Sequence, residues 1–178
     1  MLHFSVYEIE NYSSFSKKDL ASYESEIGQK LCKELLRAHF GIENPVFKRN
    51  EFGKPYIDKE NVFFNISHSL GIVVCVVSDE PCGIDVERLV GGEKSDFNRL
   101  ADRFFCQGEK SYFLAHDCSA SAFYYIWTRK EALSKCLGTP FMSSISYDST
   151  SKDLDIRTNL YDGYVVSIAT NIQKSIDF

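Results

Sequence analysis

No stretch of the chain is apolar for long enough to cross a membrane; the longest candidate is the short run GIVVCVV at residues 71–77. The start, MLHFSVYEIENYSS, has neither the basic residues nor the apolar centre of an export signal, so a cytoplasmic setting is expected. The six cysteines, at 32, 75, 82, 106, 118 and 136, form no Cys-x-x-Cys pair and no Cys/His spacing of a zinc site. They read as reduced, mostly buried thiols. Positive charge is not in excess: the net charge is −5, which argues against broad nucleic-acid binding. Nor do the two halves share a residue-level repeat.

What is present is ordinary globular material. Of 178 residues, 44% are hydrophobic and 25% charged, enough for one domain or two small subdomains with a real core. MLHFSVYEI reads as a strand. Residues 16–41 read as a long helix, with Leu20, Ile27, Leu31 and Leu35 at helical spacing and Gly41 as its stop. PVFKRNEFGKPYI reads as a strand, a turn at Phe52–Gly53 and an extended exit through Lys54 and Pro55. Three strands follow, Val62–Ser67, Ile72–Val77 and Gly83–Glu87, separated by HSLG and SDEPC. VGGEK reads as a joint near mid-chain, then SDFNRLADRFF as a helix capped by Ser95, and GEKSYFLAH as another. SASAFYYIWTRKEALSKCLG is the clearest helix, closed by Gly138. SSISYD, LDIRTNL and GYVVSIAT read as closing strands, with Asp162-Gly163 as a turn.

The chemistry gathers in a few places. In GIDVE, alternation puts Asp85 and Glu87 on one face of a strand, where two carboxylates repel unless a cation lies between them. On their own they are better read as the water-facing side of a half-solvated edge strand. On the last long helix Phe123, Trp127, Glu131 and Lys135, four apart, form one stripe that runs from apolar to charged, as a cleft wall would; a surface ion pair is the plainer account of Glu131 and Lys135. In FNISHS, Asn65, Ser67 and His68 stand at a strand end entering a turn, where Ser and His hydrogen-bond an anion or simply brace the turn. Lys54 alone is a loop lysine. Asp85, Glu87 and Glu131 together suit a hard divalent cation such as Mg²⁺, with Lys135 and His68 left for phosphates.

The pieces FGKPY, FNISHS, GIDVE, RFFCQGE and WTRKEALSKCLG, in this order from Phe52 to Gly138, resemble the 4′-phosphopantetheinyl transferase family, and more closely its surfactin-synthetase-activating (Sfp-type) branch. That resemblance implies an α+β fold of two similar subdomains, here 1–90 and 91–178, in a pseudo-twofold arrangement with the active site in the cleft between them. It implies transfer of the phosphopantetheine arm of coenzyme A to a serine of an acyl, peptidyl or aryl carrier protein, with Mg²⁺, by a monomer that binds neither nucleic acid nor membrane. Carried onto this chain, it makes Asp85, Glu87 and Glu131 the metal ligands, and Glu131 also the general base. Lys135 would sit on the pyrophosphate, Ser67 and His68 would contact coenzyme A phosphates, and Lys54 and Pro55 would line the adenine end. Arg103, Phe104 and Phe105 are the candidate docking patch for the carrier. One departure stands out: Glu24 occupies the place of an arginine that the family uses on the 3′-phosphate. A degenerate paralogue that keeps the fold as a binding protein, and an unrelated Mg²⁺-dependent phosphohydrolase, are the alternatives; the order of the motifs speaks against the second.

Overall fold

A computed structural model describes residues 1–171. Strand β1 (Leu2–Glu8) leads through a short 3₁₀ turn into helix α1 (Lys17–Phe40), followed by β2 (Phe47–Arg49), β3 (Pro55–Ile57), β4 (Phe63–Ser69), β5 (Ile72–Ser78) and β6 (Cys82–Arg88). Helices α2 (Lys94–Phe104), α3 (Gln107–Ala115) and α4 (Ala120–Leu137) come next, then a 3₁₀ turn at Phe141–Ser144, and finally β7 (Ile156–Tyr161) and β8 (Tyr164–Thr170). The fold is α+β, as expected, and all strand pairs are antiparallel.

Two three-stranded sheets form the middle, in the orders β1-β5-β4 and β6-β8-β7, with β2 and β3 as a separate ribbon. Strand periodicity decides what each face meets. Val73, Cys75 and Val77 of β5 pack with Leu31, Leu35 and Leu36 of α1. Their neighbours Ile72, Val74 and Val76 share a core with Ile84 and Val86 of β6. Ala132, Leu133 and Cys136 of α4 cover the other side of the second sheet, against Ile156 and Ala169. The layers therefore run helix, sheet, sheet, helix, which explains why every residue of β5 is buried.

Sequence signals account for most element ends. The Ser16 side chain accepts from the Asp19 amide at the start of α1, and Gly41 closes it at φ 66. Ser119 and Gly138 do the same for α4. The β4–β5 and β7–β8 turns shrink to Leu70-Gly71 and Asp162-Gly163, with positive φ at all four residues, as two-residue hairpin loops require.

Two expectations are corrected. Glu93, not Ser95, is the N-cap of α2. SSISYD is no strand: Phe141–Ser144 is a 3₁₀ turn, and the carbonyls of Ile145 and Tyr147 accept from the buried Lys130 ammonium instead of from a strand partner. Strand β6 pairs along its whole length with β8, so the chain passes from one sheet to the other between Ser78 and Cys82.

Candidate active site

The site forms where the two sheets meet edge to edge. β4 is the last strand of one sheet and β6 of the other, and side chains join them. Every second residue of β4 reaches across: Asn65 Oδ1 accepts from the Ile84 amide (2.9 Å), Ser67 Oγ donates to Asp85 Oδ1 (2.9 Å), and Ser69 Oγ donates to Glu87 Oε2 (2.9 Å). The period of two along β4 thus matches the period of two along β6, and Asp85 and Glu87 project on the side facing α4. Gly83 makes that approach possible. A Cβ there would stand 2.1 Å from the Ala132 carbonyl oxygen and 2.4 Å from the Cys136 nitrogen of α4.

From α4, Lys135 completes the centre. Its Nζ donates to Asp85 Oδ1 at 2.5 Å and to Ser67 Oγ at 3.1 Å. Asp85 is 4% exposed, and its second oxygen, Oδ2, is buried without a hydrogen-bond partner. Burial pushes the Asp85 carboxyl above the usual carboxylate range, against the pull of Lys135 and Ser67. Glu87 is raised by burial and then by Asp85. Glu131 is raised by burial, then by Asp85, with Lys135 opposing. These three acids and one ammonium sum to a charge of −2 when ionised, in a place that disfavours ionisation. That is the electrostatic profile of a cation site, and an orphaned buried carboxylate oxygen is a ready ligand. The residues fit Mg²⁺, although the three carboxylates do not all converge within 4.8 Å of one another. Among the described residues the one trio that does is Cys106, Glu109 and Asp148. Glu109 there is already saturated: it accepts from Lys130 Nζ, the Cys106 amide, and the Ser149 amide and hydroxyl. It serves as the anchor of a fully buried ion pair with Lys130.

Other expected site residues fall elsewhere. Ser67 and His68 are adjacent in sequence and so project on opposite faces of β4. His68 pairs through Nδ1 with Glu24 of α1 at 2.9 Å and does not join Asp85. Lys54 lines the same hollow as Pro55 and Lys135, but its ammonium is spent on backbone. It donates to the carbonyls of Lys135, Cys136 and Cys82, tying the end of α4 to β6, and burial pulls its pKa down. Pro55 does line a groove: a hollow of about 260 Å³ runs past Pro55, Ile66 and Lys135. A second hollow, of about 350 Å³, shares Pro55 and Ile66 and continues to His68, Ser25 and Gln29. A larger one, of about 480 Å³ between β1 and the β7–β8 hairpin, contains none of the expected site residues. Phe105 is core, packed on Phe113 and Phe123; Phe104 is half-buried against Trp127 with the Arg103 guanidinium over its ring. The Glu109–Lys130 pair was not singled out in the sequence, where RKE on a helix looks like a solvated face.

The α+β fold thus carries a carboxylate cluster and one lysine at a sheet seam, beside a forked groove. The model of the 4'-phosphopantetheinyl transferase superfamily matches residues 81–169, half of the chain, and the chain belongs to that superfamily. It is 37% identical over 121 residues to 4'-phosphopantetheinyl transferase gsp of Aneurinibacillus migulanus, covering 66% of this chain and 49% of that protein. It is 32% identical over 126 residues to 4'-phosphopantetheinyl transferase Sfp of Bacillus subtilis (strain 168), covering 68% and 54%. With 4'-phosphopantetheinyl transferase AcpT of Salmonella typhi the identity is 34% over 110 residues, covering 60% and 56%. The relatives support the Sfp-type branch, and the chain spans about half the length of those it matches. No helix of the described residues is long and apolar enough to cross a membrane.

Proposed function

We propose that this chain transfers the 4′-phosphopantetheine arm of coenzyme A to a serine hydroxyl of an apo carrier protein, releasing adenosine 3′,5′-bisphosphate. The observation that carries the reading is the Asp85–Ser67–Lys135 centre, flanked by Glu87 and Glu131, with an unpartnered Asp85 oxygen. The activity for which its relatives are named supports it. In this reading Asp85, Glu87 and Glu131 hold Mg²⁺, which when bound offsets charge on the donor's pyrophosphate. Glu131, held above the usual carboxylate range, is a better-matched base near neutral pH than an ordinary glutamate, and takes the proton of the attacking serine. The serine oxygen forms a bond to the β-phosphorus while the bond to the departing bisphosphate breaks. Lys135 stands by the breaking bond and stabilises the leaving charge. Lys54 contributes indirectly, by fixing the carbonyl end of α4 from which Lys135 projects. Pro55 and Ile66 guide the donor along the groove.

Intact-mass measurement of a panel of apo-carrier proteins, incubated with this chain, coenzyme A and Mg²⁺, tests the reading. The expected result is a gain of one phosphopantetheine arm that EDTA abolishes. Absence of any gain across acyl, peptidyl and aryl carriers would leave a member of the superfamily that keeps the fold without the activity.

A further inference from the structure

The core between the two sheets ends in a charge. Ile84 and Val86 of β6 are buried against Ile72, Val74 and Val76 of β5. Alternation brings Arg88 to the next position on the same face, directly across from Tyr164 of β8. Arg88 is half-buried, and among the described residues no carboxylate forms an ion pair with it. Two phenols take up its guanidinium instead. Nη1 donates to the hydroxyls of Tyr12 and Tyr164, the latter at 3.2 Å, and Cζ lies 5.5 and 5.3 Å from the centres of the same two rings. A planar fork can serve two rings at once; the point charge of a lysine cannot.

This bracket grips the β4–β5 turn. Tyr164 Oη donates to the Leu70 carbonyl at 2.8 Å. The Tyr12 ring lies against Gly71, where a Cβ would stand 2.4 Å from two ring carbons. The Gly71 carbonyl accepts from the Ile9 amide at 2.7 Å, and the Gly71 amide donates to Oε1 of the buried Glu24 at 2.8 Å. Glu24 is thereby part of the same brace.

The residue just before the turn connects the brace to the site. Ser69 Oγ accepts from the Arg88 amide at 3.4 Å and donates to Glu87 Oε2 at 2.9 Å. Asp85 has two donors, Ser67 and Lys135, whereas among the described residues Ser69 is the one hydrogen-bond donor to the Glu87 carboxylate. The Ser69–Glu87 link is also the outermost of the three that join β4 to β6, so nothing along the seam beyond it keeps Glu87 beside Asp85 except the bracket.

We propose that Arg88 is a positioning residue for the cation site: clamped by Tyr12 and Tyr164, it holds the Leu70-Gly71 turn and with it Ser69, so that Glu87 faces the same cation as Asp85. This rests on the reading of Asp85, Glu87 and Glu131 as Mg²⁺ ligands, and adds to it a side chain that touches neither metal nor donor.

Calorimetric titration of the full chain with Mg²⁺ alone, below the melting temperature, tests the assignment. Arg88→Met keeps an apolar stem in the core between the sheets and removes the fork. It should bind Mg²⁺ about tenfold more weakly than the native chain, as loss of an outer partner of a metal ligand does. Arg88→Lys should recover only part of that loss. Ser69→Ala should lose as much as Arg88→Met, and the double variant no more than either, because the effect of Arg88 passes through Ser69. Tyr164→Phe removes one hydroxyl and its bond to Leu70; it should weaken Mg²⁺ binding in the same direction, and it carries the test if Arg88→Met does not fold. Native Mg²⁺ affinity in the folded variants, with only Tm lowered, would reduce Arg88 to a structural role and overturn the inference while the cation site stands. Losses that add in the double variant would also overturn it. No Mg²⁺ binding by the native chain would overturn the cation site itself, and the inference with it.

Discussion

Replacing Asp85 by asparagine should make the metal-free protein more stable while destroying the proposed cation site. Asp85 is buried, one oxygen has no partner, and two further carboxylates stand beside it with one lysine among them. A buried unsatisfied polar atom costs about 1–3 kcal/mol, more when charged. In Asp85→Asn the side-chain carbonyl can keep the bonds from Ser67 and Lys135, though without charge assistance, while the amide group meets carboxylates that accept from it. Subtracting the weakened lysine bond leaves a net gain of about 1 kcal/mol, or about 2–4 °C in Tm for a chain of this size. The sign follows from the raised carboxyl. A group held above its ordinary value binds its proton more tightly when folded, so ionising it costs stability. That cost is absent below about pH 4 and grows as pH rises through the raised folded value. The advantage of Asp85→Asn should therefore vanish in acid and grow as pH rises. Mg²⁺ reverses the order. At about a hundredfold excess over Kd it should stabilise the native chain by about 2.7 kcal/mol, and the variant by little. Scanning calorimetry of both proteins in EDTA and in Mg²⁺, across pH, checks each arm. A variant clearly less stable than the native chain in EDTA at neutral pH, or one that gains as much from Mg²⁺, would refute the account of the site.

Glu131→Gln should lower kcat by about 10²–10⁴-fold with a smaller change in KM for coenzyme A; steady-state kinetics showing a loss confined to KM would remove it as the base. Gly83→Ala forces a methyl into backbone atoms of α4, so it should cost about 3 kcal/mol or more and lower Tm accordingly; an unchanged Tm would mean that β6 and α4 do not approach so closely. Lys130→Met strands the fully buried Glu109 carboxylate and should cost about 3–5 kcal/mol by denaturant unfolding, with partial recovery when Glu109→Gln is added. No recovery would show that the charge is not what matters there.

Much of the scaffold was legible because its determinants are local. Ser16 and Gly41 bound α1, Gly138 ends α4, and the dense apolar run of residues 72–77 gave β5. The pairing of Asp85 with Glu87 on one face followed from alternation alone. What the sequence did not show is the seam. Asn65, Ser67 and Ser69 reach Ile84, Asp85 and Glu87 only because the two sheets meet at β4 and β6, and no local period encodes that meeting. Ending that strand at Ser67 also hid the alternation beyond it, so Ser67 and His68 were grouped although β4 runs to Ser69 and sends them to opposite faces. What the Lys54 ammonium bonds was likewise hidden: an ammonium in a loop finds carbonyls 81 and 82 residues away only after folding.

The helix α4 shows why charge in a sequence is a poor guide to exposure. Thr128, Arg129 and Lys130 are all buried, while Glu131 and Lys135 are only half so. Arg129 donates to the carbonyls of Ser149 and Ile156, and Lys130 to Glu109 and to the carbonyls of Ile145 and Tyr147. These bonds hold the helix by one side to α3, to the segment after it and to β7. Because successive helical residues turn by about 100°, fixing Arg129 and Lys130 also fixes where Glu131 and Lys135 point. The buried cations therefore act on the site without touching it: they set the rotation of α4 that brings Lys135 to Asp85. It follows that Lys130→Met should weaken the proposed Mg²⁺-dependent stabilisation even in the fraction that remains folded.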